Sequence, residues 1–150
     1  MDVAKRLEEL GITLPPVQKP AGAYVGCSLV GNVLYVSGHG PSQGNAYIRG
    51  KVGHDLTVEE GVEAARVTGL SILATIDDAI GLSRVRRIVK TLGMVNTAPG
   101  FNNTPAIIDG CSNLLIDIWG DAGRGARSAV GMAELPFDIA VEIELIAEVD

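Results

Sequence analysis

Apolar positions along this chain switch between two spacings, and the switches predict its elements. From Thr57 the spacing is helical: Val58, Val62, Ala65, Leu70, Leu73, Ile76 and Ile80 recur on one face before Gly81 ends the run. Thr57-Val58-Glu59-Glu60 has the form of a capping box, with a hydroxyl for the backbone N–H three residues on and Glu60 reaching back. A second helix is predicted over Ile107–Trp119, with Leu114, Leu115, Ile118 and Trp119 inward. A short one is predicted at the N-terminus, where Val3, Leu7 and Leu10 precede Gly11. Strand patterns lie elsewhere. Ala23–Val30 and Val33–Ser37 flank Gly31-Asn32, a hairpin turn pair. Val85–Val95 alternates, and so do Ser128–Leu135 and Ile139–Val149, with Pro136-Phe137-Asp138 turning the chain between those two. Gly38–Gly53 and Asn96–Pro105 read as loops, the first with a short strand near Ala46–Arg49.

The predicted order is therefore β-β-(β)-α-β-α-β-β. That order implies an α+β fold: a two-layer sandwich in which two helices pack on a mixed six-stranded sheet. Residues 1–150 form one domain, with residues 1–20 a short N-terminal helix and a connector stiffened by Pro15, Pro16 and Pro20. One sheet face is buried under the helices. The other is expected to carry Val141, Ile143, Leu145 and the first hairpin, and to find its cover in other subunits.

Composition narrows the function classes. Hydrophobic residues make up 47% of the chain and aromatics 4%, so Val, Ile, Leu and Ala must fill the core. The net charge of −6 argues against nucleic acid as a partner, since the only basic cluster is Arg84, Arg86, Arg87 and Lys90. No apolar run is long enough for a membrane span. The charged Met1–Leu10 segment lacks the apolar stretch of a secretory signal, so a cytoplasmic location is expected. Cys27 and Cys111 lack metal-site spacing and read as reduced thiols; no metal is expected. His39 and His54 sit in glycine-rich surroundings, as surface or structural residues more often do. No P-loop, GxGxxG, HExxH or GxSxG motif is present.

Chemistry is suggested mainly by the C-terminal third. Arg124 and Arg127 precede an apolar strand, and Glu142 and Glu144 share one face of the next. If these two strands paired as a hairpin, Arg127 would lie near Glu144 or its neighbours. That arrangement is equally what a plain cross-strand ion pair would need.

Several segments, in order, resemble the RidA-type (YjgF/YER057c/UK114) family. They are Ala23-Tyr24-Val25, Gly31 through His39, Ala126-Arg127-Ser128-Ala129-Val130, Leu135-Pro136, and Val141-Glu142-Ile143-Glu144-Leu145-Ile146-Ala147. The resemblance implies a chorismate-mutase-like fold, a homotrimer with clefts between subunits, and hydrolysis of 2-aminoacrylate-type enamines and imines to 2-oxo acids and ammonia without a cofactor. It implies that Arg127 holds the substrate carboxylate through its planar fork. Glu142 would position or activate water, helped by a pKa raised in a desolvated cleft. Tyr24 and Ser37 would line the cleft, and Gly38 would let backbone approach the ligand. For Tyr24 and Ser37, a packed tyrosine and a satisfied strand hydroxyl compete evenly with those roles. The chain departs from the family pattern at His39, where Gln is common, at Ser112, where Asn is common, and at Ala129, where many members have Cys. With the N-terminal helix and a long middle loop, these mark a divergent subgroup. Alternative readings are a non-catalytic trimer that binds small carboxylates in a regulatory role, or the ribonuclease or chaperone activity attributed to relatives.

Overall fold

The computed structural model describes residues 2–150. The capping box at Thr57 forms as predicted: the Glu60 amide donates to Thr57 Oγ1 and the Thr57 amide donates to Glu60 Oε2. It opens the long helix α2 (Val58–Ile80), which follows α1 (Val3–Glu9). Helix α3 runs over Thr104–Trp119, three residues earlier than its apolar pattern suggests. Pro105 sits in its first turn, where a missing N–H costs nothing. The strands are β1 (Cys27–Val30), β2 (Val33–His39), β3 (Ser42–Gln43), β4 (Ala46–Tyr47), β5 (Val85–Asn96), β6 (Ala126–Met132) and β7 (Val141–Val149).

The main sheet has five strands in the order β1-β2-β7-β5-β6, not six. The segment expected to supply the sixth instead pairs β4 with β3 in a separate two-stranded ribbon. All neighbours in the main sheet are antiparallel except β5 and β6, which run parallel. This corrects the expected hairpin of β6 with β7. Helix α3 carries the chain across the sheet, so β6 takes the outer edge of β5 in parallel. Strand β7, apolar at every second position, then inserts between β2 and β5, where both of its edges are hydrogen-bonded.

Helices α2 and α3 cover one face. Gly110 lets them touch: a β-carbon there would stand 2.1 Å from the Val62 carbonyl oxygen of α2. Val141, Ile143, Leu145, Ala147 and Val149 point into this layer and are buried, which corrects the expected place of the first three on the uncovered face. Alternation instead directs Glu142, Glu144, Ile146 and Glu148 to the open face. By register, Tyr35 of β2, Leu92 and Met94 of β5 and Val130 of β6 share that face. Tyr35 and Val130 are exposed there, beside Val30 of the first hairpin.

Candidate functional site

Between Val36 and His39 strand β2 bulges against β7. The bulge places Ser37 and Gly38 beside Glu142. Gly38 leaves room for the carboxylate in this position: a β-carbon there would lie 2.6 Å from Glu142 Oε2. The Ser37 amide donates to the Gly26 carbonyl and its hydroxyl to the Val25 carbonyl at 2.6 Å, so the hydroxyl proton is already used in holding the bulge. His39 holds the bulge from behind. It is buried, and Nδ1 lies 2.6 Å from the Ser37 carbonyl, which can only accept. Nδ1 therefore carries the proton. Burial keeps the ring's pKa below the ordinary histidine value. His39 is thus a structural strand residue rather than a loop residue, whereas His54 is exposed and pairs with Asp55.

A cavity of about 470 Å³ opens at the bulge. It gathers Tyr24, Ser37, Gly38 and Glu142, four of the residues singled out in the sequence. It also takes in Gln18, Lys19, Tyr47, Phe137, Ile139 and Glu144. Gln18 and Lys19 come from the proline-stiffened connector, where no periodicity marks a functional position. Gln18 Nε2 clamps that connector to the core by donating to the Gly40 carbonyl at 3.2 Å and to Ser71 Oγ at 3.0 Å. Tyr24 Oη accepts from the Ala21 amide, which leaves its own proton free to donate. Burial, and then the neighbouring Glu144 charge, push the Glu142 carboxyl above its usual pKa. Such a group exchanges protons with water more readily near neutral pH.

Arg127 and Ser112 do not share this cavity. They line a second one of about 360 Å³ with Thr91, Asp109, Asn113 and Arg124. Arg127 pairs with Thr91 in the β5–β6 register, and Thr91 is buried on the helix side, whereas Glu142 pairs with Met94 on the open face. The guanidinium and the carboxylate thus sit on opposite faces of the sheet within one protomer. Arg127 Nη1 donates to Asp109 Oδ1 at 2.6 Å and to Ser112 Oγ at 3.2 Å. Its neighbour Glu144, anticipated from a hairpin, is two strands away. Burial pushes the nearby Cys111 thiol up to about 12 against the opposing pull of Arg127, so it stays protonated and inert. Cys111 and Cys27 are both free thiols.

Among the described residues, no group of three or more His, Cys, Asp or Glu side chains is placed to hold a metal ion. No helix among them is long and apolar enough to cross a membrane.

The family model described as "YjgF/chorismate_mutase-like, putative endoribonuclease" matches residues 4–149. The chain belongs to this YjgF family. It is 40% identical to protein TCP17 of Trypanosoma cruzi over 99% of its length and 94% of the relative's. It superimposes on the crystal structure of Atu1372 from Agrobacterium tumefaciens with a TM-score of 0.89 and 41% identity, covering 99% and 92% of the two chains. Against Escherichia coli TdcF with bound serine the TM-score is 0.61 and the identity 28%, over 90% and 93%. The chorismate-mutase-like α+β fold expected from the sequence is therefore the family's own.

Proposed function

We propose that this YjgF-family protein hydrolyses enamines and imines of small 2-amino-acid-derived carboxylates, in clefts completed between the subunits of a homotrimer. The observation that carries the reading is Glu142: a half-buried carboxylate of raised pKa, pressed against Gly38 in a cavity open to substrate. The bound serine in the TdcF structure supports a small amino-acid-like ligand for such a fold.

The chemistry is redox-neutral and calls for no cofactor. An enamine first takes a proton at its β-carbon and gives one up from nitrogen to become the imine. Glu142 then accepts a proton from water as the water oxygen bonds to the imine carbon, and the C=N pair moves onto nitrogen. The nitrogen takes that proton. The carbinolamine's hydroxyl proton then passes to the nitrogen, the C–N bond breaks as the C=O forms, and ammonia leaves the 2-oxo acid. Arg127 grips the substrate carboxylate with guanidinium donors not engaged by Asp109. Because Arg127 and Glu142 face opposite sides of one sheet, the grip comes from an adjacent protomer. The open sheet face, with Tyr35, Val130 and Met94 among its residues, is the surface that would pack in such a trimer. We place the protein in the cytoplasm, where thiols such as Cys27 and Cys111 stay reduced.

Freshly generated 2-aminoacrylate or 2-iminobutanoate tests this directly. The protein should accelerate release of ammonia and 2-oxo acid, and Glu142→Gln and Arg127→Ala should each abolish the acceleration. Normal turnover in either variant would sink the proposal. Stabilisation by 2-oxo acids without turnover would leave a binding trimer, and salt-sensitive RNA cleavage would favour the nuclease reading.

A further inference from the structure

Phe137 adopts a backbone that side-chain-bearing residues avoid. Its φ and ψ are 58° and 19°, and Asp138 follows at φ 56°. They are the two non-glycine residues with positive φ among the described residues. Strain of this kind persists only where the surroundings over-determine it. Here they do. Asn96, fully buried, donates from Nδ2 to Asp138 Oδ1 at 2.9 Å and accepts from Lys51 Nζ at 2.8 Å. The Gly50 amide donates to the Asp138 carbonyl at 2.8 Å. A network anchored on the buried Asn96 thus fixes a strained turn.

Packing of the aromatic ring does not account for that arrangement. Phe137 is 63% exposed, among the most exposed large apolar residues of the chain. Phe137 instead lines the cavity that holds Glu142, as do Tyr24, Tyr47 and Ile139. In the single protomer, before a neighbour completes it, this cavity measures about 470 Å³, within the range that takes ligands larger than a three-carbon acid. Its wall combines aromatic and aliphatic side chains with the polar Gln18, Lys19 and Ser37.

We propose that Phe137 is a specificity-determining residue that selects substrates bearing an aromatic or bulky apolar group beyond the reacting carbon. The inference rests on the reading of this cavity as the substrate site. The turn holds the ring in the cavity wall, where it packs against the substrate's side chain. Glycine and asparagine accept the left-handed backbone at residue 137 but supply no aromatic ring.

The test is calorimetric binding of pyruvate, 2-oxobutanoate and phenylpyruvate, as product-like probes, to the wild-type protein and to Phe137→Gly and Phe137→Asn. Wild type should bind phenylpyruvate about tenfold more tightly than pyruvate. Both variants should lose that margin, keep their pyruvate affinity, and melt at the same or a higher temperature, because the strain is relieved. The proposal is overturned if wild type shows no preference or if the preference survives both substitutions. It is equally overturned if both variants melt lower or change sedimentation mass, since the ring would then serve folding or assembly. Failure of every 2-oxo acid to bind would remove the substrate-site reading itself. Binding and imine turnover without aromatic preference would remove this inference alone.

Discussion

His39 Nε2 lies 2.8 Å from Thr75 Oγ1, joining the bulge of β2 to the middle of α2. With the ring proton on Nδ1, Nε2 accepts and the threonine hydroxyl donates. The pair is buried, so neither partner can turn to water when the other is lost. Thr75→Val should cost about 1–3 kcal/mol by denaturant titration, the penalty for stranding a buried acceptor. The pH dependence has a definite sign. With its folded pKa below the ordinary 6.5, His39 binds its proton more readily in the unfolded chain. Its contribution is therefore fully present above pH 6.5 and is lost as pH falls from there toward the depressed value. His39→Gln keeps a donor and an acceptor but cannot titrate, so its stability profile should lack that decline.

Glu142 has the opposite sign. Its folded pKa is raised above the ordinary 4.5, so the folded chain holds the proton more tightly. The contribution is present below pH 4.5 and is lost as pH rises through the raised value. At neutral pH the ionised carboxylate works against folding. Glu142→Gln should therefore melt higher than wild type at pH 7, with the advantage gone at pH 4, while imine turnover falls about 100-fold or more. Equal melting temperatures at pH 7 would contradict the burial described for this group.

Gly38 tests the geometry of the same carboxylate. Alanine would set a methyl group 2.6 Å from Glu142 Oε2, and the carboxylate would have to swing away. Gly38→Ala should change stability little, because the side chain can yield, but lose most of the turnover. Retained turnover would show that the position of the carboxylate is unimportant.

Gly110 reports on the helix layer alone. A β-carbon meets backbone, the Val62 carbonyl, which has no rotamer to yield. Gly110→Ala should lower the melting temperature by about 2–12 °C, read by calorimetry. The effect on ligand affinity should be small, because residue 110 lines neither of the two cavities described above.

Local signals in the chain were enough for the helices and most strands. The capping box at Thr57, the Gly31-Asn32 turn and the alternation of Val85–Val95 each act within a few residues, and each forms as read. Strand neighbours are a different matter. Nothing local to Ala126–Met132 says that it prefers the far edge of β5 to its sequence neighbour β7. That choice is made by the α3 crossover and by how completely β7 can be buried. The error about which β7 residues lie under the helices has a similar root. Period-two alternation separates Val141 and Ile143 from Glu142 and Glu144, but not which set faces the second layer. For the site, Tyr24, Ser37, Gly38 and Glu142 were readable because family-like motifs carry them, and they meet in one cavity. Gln18, Lys19, Tyr47 and Phe137 were not, because connectors and turns bear no periodic mark and reach the cavity only through the tertiary fold. Arg127 was readable as a residue, but its face of the sheet depended on the strand order.

Gln18 fastens the connector to the core through the Gly40 carbonyl and the Ser71 hydroxyl, and Lys19 beside it lines the cavity. One rim of the chamber is thus a strap lying outside the sheet-and-helix body. Changes in that strap can alter what the chamber admits while leaving the hydrophobic interior untouched. Grafting connectors between homologues while retaining the glutamine is therefore a route to new ligand preferences on an unchanged scaffold.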